Sequence, residues 1–222
     1  MQKTFSARPS HRRGDGGGKK PEAAKNPAES KKFGVVSISI SVFPVVLGMR
    51  RPRKTQVGAT YHVVARANRR EHILRDDRAK HLFLETVQRA KEKYSFRILN
   101  ICIMGNHFHL MIEPARNESL SKIMQWILSV FARQFNRAYS LEGHVWYDRF
   151  KSKIISSLRQ FVATFSYISE NPVRANLVTR SEDYAYGGPA FIRAGPGWIV
   201  ERPSALVRLL FPGFGNQALP VQ

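Results

Sequence analysis

One stretch constrains this chain more than any other: Met104-Gly-Asn-His-Phe-His-Leu-Met-Ile-Glu113. Ile101 and Ile103 lead into it, Gly105-Asn106 supplies a turn, and a strand follows from His107. Side chains alternate along a strand, so His107, His109 and Met111 point one way. Phe108, Leu110 and Ile112 point the other way, into a core. Imidazoles two residues apart on a strand stand about 7 Å from each other and can converge on one divalent cation. The same spacing also suits two histidines on a half-exposed strand. The pattern alone leaves both readings open.

Composition narrows the partner. The chain has 222 residues, 43% of them hydrophobic, which is ample for a core. Its formal net charge is +20 and its pI is near 10.7, the balance expected of a protein that meets a polyanion. Residues 1–48 hold 9 of the 36 Lys and Arg and 3 of the 16 Asp and Glu, so the remainder still carries an excess of 14 basic groups. No basic amphipathic helix of membrane-surface type stands out, which leaves nucleic acid as the favoured partner and a membrane excluded. The single cysteine, Cys102, permits no internal disulfide and no Cys-rich zinc site, in keeping with a reducing cytoplasm.

Residues 1–32 are rich in Gly, Pro, Ser, Lys and Ala with almost no large apolar side chains, and are expected to be disordered. The apolar run Phe33 to Gly48 is 16 residues long and interrupted by Pro44, too short for a membrane span. It also lacks a clear small-residue cleavage site. Met49 and the basic Arg50-Arg-Pro-Arg-Lys54 come next. The expectation is that translation begins at Met49 and that residues 1–48 are a disordered or spurious extension. The domain is expected over 49–185, with a loop-rich extension over 186–222.

Within that domain, Thr60 to Arg66 has β-branched strand composition. Asp76-Asp77 opens a helix that runs to about Lys93, with Leu82, Phe83, Val87 and Ala90 at helical spacing. Strands follow at Phe96–Met104 and from His107 to Glu113. Asn117-Glu-Ser119 caps a long helix whose stripe is Leu120, Ile123, Met124, Ile127, Val130, Phe131 and Phe135. Lys151 to Ser157 reads as a short strand, and Leu158 to about Glu170 as a third helix with Phe161, Phe165 and Ile168 buried. Pro172 is expected to break it, with Asn171-Pro172 starting a further short helix. The order β-α-β-β-α-β-α is that of an α+β, ferredoxin-like antiparallel sheet with helices packed on one face.

Tyr167 lies about 240° around the third helix from Phe161, away from the buried stripe, and Asn171 shares its face if the helix runs on. Arg66, Arg69 and Arg70 beside the first strand, and Arg149, Lys151, Lys153 and Arg174 beside the later motifs, are candidate phosphate contacts or solvated surface charges. Trp146 could stack a base or be buried in its loop.

Four stretches resemble the REP-associated tyrosine transposases, members of the HUH single-tyrosine transposase superfamily. They are Tyr61-His-Val-Val-Ala-Arg-Ala-Asn-Arg-Arg70, Met104-Gly-Asn-His-Phe-His-Leu110, Gly143-His-Val-Trp-Tyr-Asp-Arg-Phe-Lys-Ser152 and Tyr167-Ile-Ser-Glu-Asn-Pro-Val-Arg-Ala-Asn-Leu-Val178. The likeness covers about residues 49–185, and the last stretch is the most specific. Gly105 departs from it, standing where the family usually has Pro before Asn-His. The resemblance implies a divalent cation, Mg²⁺ or Mn²⁺, on His107 and His109, with Asn171 as a third, amide ligand. It implies Tyr167 as the nucleophile on a DNA phosphodiester, giving a 5′-phosphotyrosine and a free 3′-hydroxyl. The implied partner is single-stranded or hairpin DNA carrying repeat sequences, met by a monomer or homodimer in the bacterial cytoplasm at the nucleoid.

Two other readings stand beside this one. The first is a catalytically inactive, domesticated hairpin-binding protein of the same fold. The second is an RNA binder, which would want aromatic side chains rather than histidines on the sheet face. Few carboxylates lie near the motifs, which counts against a two-metal, RNase H-like transposase. The charge makes one prediction for any nucleic-acid reading. Affinity for single-stranded or hairpin DNA should fall steeply with salt, with a log–log slope of about −3.5 for roughly five phosphate contacts. A salt titration that stays flat would exclude nucleic acid as the partner.

Overall fold

Alternation along four short segments builds the sheet, and the caps on the helices between them are read directly from the sequence. In the computed structural model, strand β1 is Thr60–Arg66, β2 is Phe96–Ile103, β3 is His107–Pro114 and β4 is Lys151–Ile155. Helix α1 is Asp77–Lys93, α2 is Leu120–Tyr139 and α3 is Leu158–Arg174, followed by the short α4, Gly188–Ala194, and α5, Ala205–Leu210. The structure describes residues 55–194 and 199–211. The expectations for residues 1–48 lie outside the described residues.

Each main helix starts where a side-chain oxygen accepts an otherwise unpaired backbone N–H. Asp76 Oδ1 accepts from Ala79 N at 2.8 Å, Ser119 Oγ from Lys122 N at 3.4 Å, and Ser157 Oγ from Gln160 N at 3.2 Å. The strands pair in the order β2-β3-β1-β4. All three pairings are antiparallel, the ferredoxin-like arrangement that the element order implies. In this strand order β3 is central, so the histidine pair sits on a central strand.

One sheet face carries Tyr61, Val63 and Ala65 from β1, Phe108, Leu110 and Ile112 from β3, and Ile98 from β2. Helices α1 and α2 cover it with Phe83, Val87, Ile123, Ile127 and Phe131. Phe108 sits at the centre, 4.4 Å from the Phe83 ring and 5.6 Å from Trp146. Trp146 is half-buried against this core, its indole N–H donating to the Leu128 carbonyl at 3.0 Å.

The other face is where the structure departs from expectation. Helices were expected on one face only, yet α3 packs on the histidine side, its Phe165 and Ile168 against Cys102, Met104 and Met111. The reason is that this face is apolar at its β2–β3 end and needs a cover there. A second correction concerns Pro172, which does not end α3 or start a new helix. The helix continues to Arg174, the Pro172 ring is buried, and Asn171 is no N-cap. A proline in a last turn forfeits only the bond to the Ile168 carbonyl, and burying its ring offsets that loss.

In the loop-rich tail, the apolar patch Ala205 to Phe211 is expected to form a small helix and does so as α5; the described residues also hold α4, and parts of them lie along the outer edge of β2. Gly187 bridges Cys102 in antiparallel fashion, Ile103 N donates to the Tyr186 carbonyl at 3.0 Å, and Glu201 N donates to the Ile98 carbonyl at 2.8 Å. These bonds occupy backbone groups that an edge strand would leave open. Among the described residues no helix is long and apolar enough to cross a membrane. Packing of this kind makes Phe108→Ala a costly change, about 3–5 kcal/mol. Leu209→Ala, on a residue that is 78% exposed, should stay within about 0.5 kcal/mol. Urea denaturation of the two variants checks the contrast, and equal losses would contradict this core.

Candidate active site

Opposite residues on neighbouring antiparallel strands share a face, so the register builds the site row by row. His107 lies opposite Arg66 on β1, His109 opposite Val64, and Met111 opposite His62. Lys153 on β4 stands opposite His62, and Lys151 opposite Val64. Cys102 and Asn100 continue the rows on β2, opposite His109 and Met111.

His109 is the most constrained member, at 4% exposure. Its Nδ1 lies 2.9 Å from Nε2 of His62, one nitrogen donating to the other, and the two rings stack with centroids 5.2 Å apart. Its Nε2 is buried with no hydrogen-bond partner. His107 packs edge-on to His109, centroids 5.0 Å apart. The amide of Asn106 orients it, with His107 Nδ1 and Asn106 Oδ1 at 2.7 Å. A carbonyl oxygen can only accept, so His107 carries its proton on Nδ1 and keeps a lone pair on Nε2.

Charge and burial hold these rings neutral. Burial pushes the His109 pKa down to about 3, helped by His107, His62 and Arg66. Burial and Arg66 lower His107, and burial and Lys153 lower His62. Neutral imidazole is the form that binds a metal. A buried orphan nitrogen on His109, a lone pair on His107 and a hydrogen-bonded outer shell of His62 and Asn106 therefore fit a divalent cation. Among the described residues no three His, Cys, Asp or Glu side chains form a metal-holding group. Two imidazoles would be the protein's ionisable share of such a site.

Helix α3 brings Tyr167 over the pair. Its ring is edge-on to His109 at 5.5 Å and to His62 at 6.0 Å, and the Arg174 guanidinium stands 5.5 Å from it. Tyr167 remains 39% exposed, so the ring touches the histidines while staying open to a solute. Asn171 lies one turn on, its amide nitrogen donating to the Tyr167 carbonyl at 2.6 Å. Among the described contacts none joins Asn171 to the histidines.

Five of the candidate basic residues gather in one cleft of about 560 Å³: Arg66, Arg69, Arg70, Arg149 and Lys151 line it, with Tyr147 and Asp148. Arg69 and Arg70 both adopt left-handed backbone, φ 49° and 60°, a strain seen mainly at functional turns. Asn106 spans the two halves of the site, because its Nδ2 also donates to the Arg70 carbonyl at 3.3 Å. The other two candidates lie outside that lining: Lys153 stands opposite His62 in the β1–β4 register, and the Arg174 guanidinium lies against the Tyr167 ring.

Sequence reasoning missed His62 and the part played by Asn106. Alternation from Tyr61 assigns His62 to the face opposite the core, but its partner could be identified only from the β1–β3 register.

The family model for IS200-like transposases matches residues 55–171, a span that holds the histidine pair, His62, Tyr167 and Asn171. A curated relative from Haemophilus influenzae, named as a REP-associated tyrosine transposase, is 25% identical over 114 residues. That match takes in 47% of this chain and 65% of the relative's length. A solved structure of a REP-associated tyrosine transposase bound to a REP hairpin is similar in fold, with a TM-score of 0.57 at 20% identity. It covers 77% of this chain and 92% of that one. With more than half of its length matched by one family model, and the tyrosine and histidines inside the match, the chain belongs to the family of IS200-like transposases.

Proposed function

We infer that this protein is a DNA strand transferase that cuts single-stranded or hairpin DNA, and that Tyr167 forms the covalent link. The observation that carries the reading is the edge contact of the Tyr167 ring with His109, whose outward nitrogen is buried and unpartnered. A tyrosine and a buried imidazole from distant parts of the chain meet at one point, which supports this reading. The hairpin bound by the similar solved structure supports repeat-bearing DNA as the substrate class.

In this reading the Tyr167 hydroxyl attacks the phosphorus of a phosphodiester. The new P–O bond forms as the P–O3′ bond breaks, leaving a 5′-phosphotyrosine and a free 3′-hydroxyl. The phenol gives up its proton to solvent, and the departing 3′ oxygen takes one up. One ester replaces another, so rejoining to a different 3′-hydroxyl needs no nucleotide cofactor. His107 and His109 would hold Mg²⁺ or Mn²⁺, which when bound supplies a Lewis acid that polarises the phosphate oxygens. His62 and Asn106 keep the two imidazoles in the ligating tautomer and orientation. Arg174 holds the Tyr167 ring by a cation–π contact and adds positive charge where the phosphate arrives. The arginines of the cleft bind flanking phosphates.

The test separates nucleophile, metal ligands and supporting residues. Tyr167→Phe should fold and bind a hairpin oligonucleotide normally, yet form no covalent adduct with Mn²⁺. His107→Ala and His109→Ala should also lose the adduct, with partial return at high Mn²⁺, and isothermal titration should show weakened metal binding. Asn171→Ala should be milder, since water replaces one neutral ligand. Adduct undiminished in Tyr167→Phe overturns the nucleophile assignment. A wild type that binds hairpins but cuts none of them would favour the inactive binding protein instead.

The outer shell gives a separate expectation. His62→Ala leaves both ligands in place but removes the partner of His109 Nδ1, and should weaken Mn²⁺ affinity by roughly 10- to 100-fold. Titration of Mn²⁺ without DNA measures this, and unchanged affinity would show that His62 does not orient His109.

A further inference from the structure

Strand β2 contains one extra residue. Ile98 pairs with Ile112 and Asn100 with Met111, so two steps on β2 oppose one on β3 and Leu99 bulges out. A one-residue slip reverses the face of everything beyond it. Ile98 faces the main core, and Asn100 is thereby turned to the opposite side, under α3.

There it is fully buried, at 0% exposure, and its amide is engaged at both ends. Nδ2 donates to the Phe165 carbonyl at 3.0 Å and to Ser169 Oγ at 2.9 Å, and Oδ1 accepts from Ile101 N at 2.8 Å. Phe165 and Ser169 stand two residues before and two after Tyr167. The space is closed from the side by the start of α4, where a Cβ added at Gly188 would collide with Asn100 Oδ1. Beside the Tyr167 ring on the histidines, α3 also meets the sheet through apolar contact, made by Phe165 and Ile168 on Cys102, Met104 and Met111.

Apolar contact is non-directional and tolerates sliding and rolling of a helix on a sheet. A rotation of one residue, about 100°, would carry Tyr167 off the histidines altogether. Directed hydrogen bonds in a buried site do not allow this, because a shift would leave polar groups unpaired. We propose that Asn100 is a positioning residue that, through Ser169 and the Phe165 carbonyl, holds Tyr167 in register over His62 and His109. The inference rests on Tyr167 being the nucleophile, and its test keeps the two claims apart.

Asn100→Ala and Ser169→Ala are made in the full chain and assayed below their unfolding transitions, as monitored by circular dichroism. Hairpin affinity should be unchanged. The single-turnover rate of adduct formation at saturating hairpin should fall roughly tenfold to a hundredfold, the cost of a misplacement near 1 Å. Adding Ser169→Ala to Asn100→Ala should cost nothing further, because Ser169 acts only through Asn100. Ser169→Ala alone decides the matter if Asn100→Ala does not fold. A 3-fluorotyrosine placed at position 167 gives a second readout free of catalysis, since its ¹⁹F shift senses the ring currents of the two histidines. In both variants that shift should move toward the value of an exposed tyrosine. An unmoved shift overturns the clamp, whatever the enzyme does. A moved shift in a protein whose wild type forms no adduct would uphold the clamp and overturn the nucleophile. A moved shift with an undiminished rate would overturn the positioning role.

Discussion

A central strand has two faces to satisfy at once, and β3 satisfies them with opposite chemistry. Phe108, Leu110 and Ile112 close the core beneath α1 and α2, while His107, His109 and Met111 face α3. Because alternate residues share one backbone, the histidines inherit the rigidity of the core side. Two-sided pairing with β1 and β2 then places His62, Val64, Arg66, Asn100 and Cys102 around them. The site is the reverse of the hydrophobic core, and its precision comes from that core.

Its electrostatics are those of a place awaiting an anion. Arg66 and Lys153 stand against imidazoles already reluctant to take a proton through burial, so the rings stay neutral and basic charge accumulates around them. The cleft of Arg66, Arg69, Arg70, Arg149 and Lys151 extends the same potential away from the tyrosine. In the proposed function a phosphodiester would bring the missing negative charge, and a divalent cation held by His107 and His109 would keep nearly its full charge for that phosphate, because both ligands are neutral. Asn106 joins the two regions, one end of its amide on His107 and the other on the strained Arg70 turn.

Much of this was legible in the sequence because it depends on local rules. The β-α-β-β-α-β-α order, the helix starts at Asp76 and Ser119, and the opposed faces of His107-Phe108-His109 follow from periodicity and capping chemistry, whereas Ser157, which reads as the end of a strand, caps α3. The family was carried by motifs with fixed spacing. The errors arose where local rules compete with packing. Pro172 reads as a helix breaker, but its ring is buried, which outweighs one lost hydrogen bond. The single-faced arrangement of helices failed because Cys102, Met104 and Met111 make the histidine face partly apolar, a signal present in the alternation itself.

What the sequence determined alone was the order of the main strands and helices, the direction of each side chain along its own strand or helix, and the chemistry on offer. The tertiary structure decided which of those side chains meet. His62 and His109 are 47 residues apart, and Asn100 and Ser169 are 69 apart. Their contacts depend on strand register, on a single bulged residue at Leu99, and on the side of the sheet that α3 covers. Periodicity within an element carries no information about register between elements, because that is settled by the joint packing of surfaces distant in the chain.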